Sequence, residues 1–177
     1  MFYSKKKYQM EKAYQTCTEM FDQRGYEIVE KDDERILAIK PDGNQVCAFF
    51  TRTRTKFNVD TVQECISMMN KMDINHAIII YKDIATPVAK KIVDEIVDMI
   101  IELFNEEELQ YNITKHYLVP KHELLHSKDS SESKHFKKNK YPLILKTDPV
   151  CKFYGFKIGD VIKVTRKNNN IMYRIVR

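Results

Sequence analysis

The chain has 177 residues, of which 43% are apolar, 31% charged and 11% aromatic, proportions that exclude a disordered or fibrous polypeptide and leave room for one core or two small ones. No apolar stretch approaches the roughly 18 residues of a membrane span, and Met1-Phe2-Tyr3-Ser4-Lys5-Lys6-Lys7 lacks the apolar centre of a signal peptide, so an intracellular protein without a membrane partner is expected. Residues 1 to 110 hold 15 Lys and Arg against 20 Asp and Glu, and residues 111 to 177 hold 15 against 5, so the two parts are expected to form separate modules, the second facing nucleic acid or an acidic protein.

Apolar residues at helical spacing (Tyr8, Ala13, Tyr14, Cys17, Met20, Phe21) predict an amphipathic helix over Lys5 to Arg24, stopped by Gly25. Strands are expected at Tyr26 to Val29 and Arg35 to Lys40. The turn-forming Pro41-Asp42-Gly43-Asn44 should then return Gln45 to Thr51 antiparallel to the second. Asn58 or Asp60 can cap a helix carrying Val62, Cys65, Ile66 and Met69, and Ala77 to Tyr81 reads as a buried strand. Thr86-Pro87 opens a helix on which Val88, Ile92, Val93, Ile96, Val97, Ile100, Ile101 and Phe104 are expected to run together, with the module ending near Glu106-Glu107-Glu108. Residues 127 to 140 are polar and nearly free of apolar side chains, as in a solvated loop. A Pro-punctuated segment, Tyr141 to Asp148, follows, then a short helix capped at Asp148 before Pro149. Strands at Asp160 to Arg166 and Ile171 to Val176, joined by the turn Lys167 to Asn170, complete a small α+β module after an α/β one. Cys17, Cys47, Cys65 and Cys151 form no C-x-x-C pair and read as reduced, mostly buried thiols.

Several patterns carry possible chemistry. His122-Glu123-Leu124-Leu125-His126 matches H-E-x-x-H. On a helix, its histidines would share a face and hold zinc, and Glu123 would deprotonate a bound water, as in a zinc-dependent hydrolase. The surroundings argue against this: Pro120 sits just upstream, a polar stretch follows, and a third ligand would have to be Glu132 or His135 in the loop. A metal-dependent nuclease would need a strand carboxylate followed two residues on by lysine, and Gln45-Val46-Cys47-Ala48-Phe49-Phe50 offers none. In Thr51-Arg52-Thr53-Arg54-Thr55-Lys56 an extended backbone puts Arg52, Arg54 and Lys56 on one side, spaced for phosphates or guarding a solvated strand edge. Lys90 and Lys91 could join them at the helix start. The C-terminal block, with Asp148-Pro149-Val150, Tyr154-Gly155, Gly159-Asp160, Lys163, Arg166 and Tyr173-Arg174, reads by itself as a small basic β module.

Over Asp148 to Val176 the pattern D-P-V, Y-G-x-x-x-G-D-V-x-K-x-x-R and Y-R-x-V resembles the fifth-subunit family of DNA-directed RNA polymerases, which has eukaryotic and archaeal members. Asn112-Ile113-Thr114-Lys115-His116-Tyr117-Leu118-Val119-Pro120-Lys121-His122 and Thr86-Pro87-Val88-Ala89-Lys90 resemble further motifs of that family. The resemblance implies a restriction-endonuclease-like α/β N-terminal module, catalytically empty, over residues 1–110, forming part of a jaw near downstream DNA. Residues 111–177 would be an assembly module docking on the largest subunit. It implies no catalytic residue, metal or cofactor, and partner contacts through Pro120, His122, Asp148, Pro149, Val150, Tyr154, Gly155, Gly159, Asp160, Lys163, Arg166, Tyr173 and Arg174. Weak contact with duplex DNA would come from Arg52, Arg54, Lys56, Thr86, Pro87, Lys90 and Lys91. The extra N-terminal module marks a eukaryote-type member, and its compactness would suit a large DNA virus. The expected location is the nucleus for a cellular protein, and cytoplasm or virion for a viral one.

Overall fold

The computed structural model describes residues 2–51, 56–82, 84–127 and 141–177, with side chains from residue 9 onward. The chain divides into two compact units, Met1–Tyr111 and Asn112–Arg177.

In the first unit, α1 (Phe2–Gln23) buries Ala13, Cys17, Met20 and Phe21 completely, and Gly25 takes φ 76° just past its end, a left-handed conformation that costs a residue with a Cβ roughly 1–2 kcal/mol. The strands β1 (Glu27–Lys31), β2 (Arg35–Ile39) and β3 (Gln45–Phe50) form antiparallel hairpins. Asp42 Oδ1 accepts the Asn44 N–H at 3.0 Å in the β2–β3 turn. After a short β4 (Lys56–Phe57), the Asn58 carboxamide accepts from Thr61 N at 3.1 Å and caps α2 (Val59–Lys71). This crossover brings β5 (His76–Tyr81) parallel to β3. A second crossover through β6 (Ile84–Ala85) and α3 (Pro87–Glu95) adds β7 (Ile100–Asn105) parallel to β5. The sheet order is β1-β2-β3-β5-β7, with β4 and β6 as a separate parallel pair.

Strand alternation gives this sheet two apolar faces. Cys47, Phe49, Ala77 and Ile79 pack with Met69 and Cys65 of α2 and with Ala89 and Val93 of α3. Val46, Ala48, Phe50, Ile78 and Ile80 are buried on the other face, where Tyr14 of α1 stacks on Phe50 with ring centroids 5.1 Å apart. All four cysteines are buried and unbridged. Burial pushes the thiols of Cys17, Cys47 and Cys151 up to about 12.

One expectation fails here. The helix beginning at Thr86-Pro87 does not run on to Phe104 but ends at Glu95, where Ile96 is already extended (φ −71°, ψ 123°). Ile100 to Asn105 form the edge strand β7. Doublets such as Ile96-Val97 and Ile100-Ile101 satisfy both helical and strand periodicity, and pairing with β5 decides between them.

In the second unit, a 3₁₀ turn at Ile113–Lys115, capped by Asn112, leads into β8 (Lys121–His126). Then come β9 (Leu143–Ile144), α4 (Pro149–Tyr154), β10 (Val161–Thr165) and β11 (Ile171–Val176). The sheet order is β8-β10-β11-β9. Ile144, Cys151, Phe156, Ile162, Val164 and Val176 form its core. Asp148 Oδ1 accepts the Val150 N–H at 2.9 Å, Pro149 occupies the first helical position, and Gly155 closes α4 in the left-handed region at φ 68°. Among the described residues no helix is long and apolar enough to cross a membrane.

Candidate partner-docking groove

The His122 to His126 segment is β8, not a helix, which overturns the geometry of the zinc reading. Four residues of strand span roughly 13 Å, whereas two nitrogens each ~2 Å from one zinc can be no more than ~4 Å apart. A register shift opposite Val161/Ile162 further interrupts the alternation between Leu124 and His126. Glu123 turns to Lys121, with Oε1 2.7 Å from Nζ, and His122 Nδ1 lies 2.8 Å from the Pro120 carbonyl. Among the described residues no group of three His, Cys, Asp or Glu side chains could hold a metal ion; Glu132 and His135 lie outside them.

The strand has another use. Register places His122 beside Val164 and Met172 in one cross-strand row, with Ile162 and Arg174 in the next. This sheet face forms the floor of an open groove of about 260 Å³. The Leu118-Val119-Pro120 segment lines one part of it, and Asp148 and Val150 at the start of α4 line another, along with Ile144 and Arg166. Burial pushes the His122 imidazole below its ordinary value, and Arg174 acts in the same direction. The Pro120 carbonyl and Asp148 oppose them. A neutral ring with Nδ1–H given to Pro120 leaves Nε2 as an acceptor.

Of the residues picked from the sequence, Pro120, His122, Asp148, Val150, Arg166 and Arg174 meet in this groove. Others are occupied in building the unit. Pro149 and Gly155 start and stop α4. Tyr154 stacks on Phe156 at 5.2 Å, Gly159 N donates to Val176 O at 2.9 Å, and the buried Asp160 accepts from Lys157 N at 2.7 Å. Lys163 and Tyr173 are cross-strand neighbours in the alternate row, on the reverse face of the sheet. Met172, Val164 and Ile144 were missed as site residues. They looked like ordinary strand hydrophobics; only the register aligns Val164 and Met172 with His122, and only the fold brings Ile144 into the same groove.

A second set of predicted residues also converges. Lys56 pairs in register with Ile84, Phe57 O accepts the Thr86 N–H at 3.0 Å, and Thr86 Oγ1 accepts Ala89 N at 3.3 Å. The exposed Lys56 therefore stands beside the start of α3, where Pro87, Lys90 and Lys91 are exposed too. Lys91 Nζ lies 3.7 Å from Glu95 Oε1, which mutes its charge. Arg52 and Arg54 lie outside the described residues.

The family model for the C-terminal domain of RNA polymerase Rpb5 matches residues 111–176, the stretch that holds the groove. Full-length relatives agree. The chain is 32% identical over 159 residues to subunit rpabc1 of RNA polymerases I, II and III from Dictyostelium discoideum, covering 83% of this chain and 80% of that one. It is 30% identical over 179 residues to RPABC1 from Caenorhabditis briggsae, covering 95% and 84%. It is also 29% identical over 187 residues to the chain named as DNA-directed RNA polymerase subunit 454R of Invertebrate iridescent virus 6, covering 94% and 98%. A restriction-modification enzyme bound to DNA, LlaBIII, aligns with 16% identity over 77% of this chain and 10% of its own at a TM-score of 0.42, too slight a likeness to bear on fold or function. These matches identify a structural, non-catalytic component of a multisubunit transcription enzyme. The chain belongs to the Rpb5 (RPABC1) family of DNA-directed RNA polymerase subunits.

Proposed function

We propose that residues 111–177 dock the chain on the largest polymerase subunit and that residues 1–110 form part of a jaw beside downstream duplex DNA, inside a cell or virion. The observation that carries the docking reading is the groove, in which six separated motif residues gather against an apolar sheet face. The net positive charge of this part of the chain favours an acidic partner surface and a salt-sensitive encounter. For the jaw module, hairpin strands running into two parallel crossover strands support an endonuclease-like ancestry, and β3 carries no carboxylate for such chemistry. The first part is acidic overall, so DNA contact would rest on a local basic edge: Lys56 beside the start of α3, with Arg52 and Arg54 from the preceding run.

Co-purification from cells in mild salt tests the docking half. A chain lacking residues 1–105 should still be recovered with the largest subunit, and a folded truncation never recovered with it would refute the assignment. Replacing Arg52, Arg54 and Lys56 together by Ser should lower the salt dependence of elongation-complex stability by about one logarithmic unit for each phosphate no longer neutralised, without altering sequence preference. Identical salt titrations of variant and wild type would return that run to a solvated edge.

A further inference from the structure

The groove holds a positive charge with which no described residue of the second unit pairs. Arg174 is half-buried on its floor, and among the described residues its guanidinium makes no hydrogen bond or ion pair. Asp148, the one carboxylate in the lining, gives Oδ1 to the α4 cap and, among the described residues, forms no ion pair with Arg174, while Asp160 is buried against the Lys157 N–H. A guanidinium partly withdrawn from water and left without an anion is costly, and its fork of donors matches a carboxylate or phosphate. Arg166, at the exposed end of the same strand pair, adds a second positive charge to the lining. Next to these charges the lining is apolar: Val150, Val164 and the adaptable Met172, with Leu118 69% exposed. A nucleic-acid backbone would find no use for that apolar surface, whereas a polypeptide carrying both kinds of side chain would.

We infer that the groove takes an extended segment of another polymerase subunit in which an apolar side chain lies beside an Asp or Glu. The apolar side chain seats against Val150, Val164 and Met172, and Arg174 grips the carboxylate. His122 Nε2 is available to accept a backbone N–H of the segment. This rests on the docking function proposed above and specifies its chemistry.

The test uses the full chain assembled into its polymerase. A photoreactive benzoylphenylalanine in place of Leu118 should cross-link to a polymerase subunit at a peptide holding an acidic residue within about three positions of an apolar one, the reach of an extended strand. Arg174→Gln should weaken retention on the polymerase at least tenfold, as expected for removal of a desolvated charge-assisted pair. Arg174→Lys should recover part of that loss, and exchanging the cross-linked acid for Lys together with Arg174→Glu should recover more. Hydrogen exchange over β10 and β11 in each variant separates impaired binding from impaired folding. Equal retention of wild type and a folded Arg174→Gln would overturn the inference while leaving docking intact. So would a cross-link to nucleic acid or to a segment without an acid. Failure of the wild-type chain to enter the polymerase would instead overturn the docking function itself.

Discussion

Glu102 of β7 offers the sharpest test of how the first unit holds together. Arg24, with its side chain 4% exposed, donates through both Nη atoms to the two Glu102 oxygens at 2.7 and 2.8 Å. His76 Nε2 lies 2.8 Å from Oε1 of the same carboxylate, and the Tyr26 hydroxyl is 3.4 Å from His76 Nδ1. The cluster joins the end of α1 to β5 and β7. Burial alone would raise the Glu102 carboxyl, but the Arg24 charge and the hydrogen bonds from His76 and Arg24 outweigh it and hold the group down at about 2, against an ordinary 4.5. That depression corresponds to about 3 kcal/mol of stability. Because the folded-state value is the lower one, the contribution is complete above pH ~4.5 and is lost as pH falls toward 2. Glu102→Gln keeps the shape and leaves the Arg24 guanidinium buried without its counter-charge, for which the expected loss is also about 3 kcal/mol, at the low end for a broken buried pair because Glu102 retains 20% exposure. Urea unfolding at pH 7 and pH 3, read by circular dichroism and by hydrogen exchange over β5 and β7, measures both effects. If Glu102→Gln unfolds within about 0.5 kcal/mol of wild type at pH 7, or if acid costs wild type no more than it costs the variant, the network is not what ties α1 to the sheet.

The thiols of Cys17, Cys47 and Cys151, raised to about 12 by burial, should resist alkylation at pH 8 in the native chain and react promptly in urea; fast native labelling would contradict their burial. Asp148→Ala should lower the stability of the second unit by about 1 kcal/mol through loss of the α4 cap. Gly155→Ala should cost a similar amount at φ 68°, and hydrogen exchange over α4 and β10 reads both. The purified protein should carry no stoichiometric zinc by metal analysis, and Glu123→Gln should leave transcription by the assembled polymerase unchanged. A zinc ion lost on His126→Ala would refute the strand argument.

Local chemistry in the sequence determined much of this protein. The Asn58, Thr86 and Asp148 caps, Gly25, the Pro41 to Asn44 turn and the Asn169 turn residue at φ 60° each answer to a backbone demand within a few positions. The motif residues also sufficed to indicate the polymerase family. Tertiary structure decided what depends on a distant partner. The Ile96 to Phe104 stretch could read as helix or strand until β5 offered it a parallel edge. Once it is a strand, alternation sets Ile101 and Leu103 against the α2 and α3 side and leaves Glu102 facing Arg24, 78 positions away. His122 and His126 looked like ligands because a spacing of four brings side chains together on a helix. Pairing with β10 drew them apart and set His122 beside Val164 and Met172 instead. A spacing becomes a distance only after the backbone has chosen its period, and for these two segments that choice was made by the neighbouring strand.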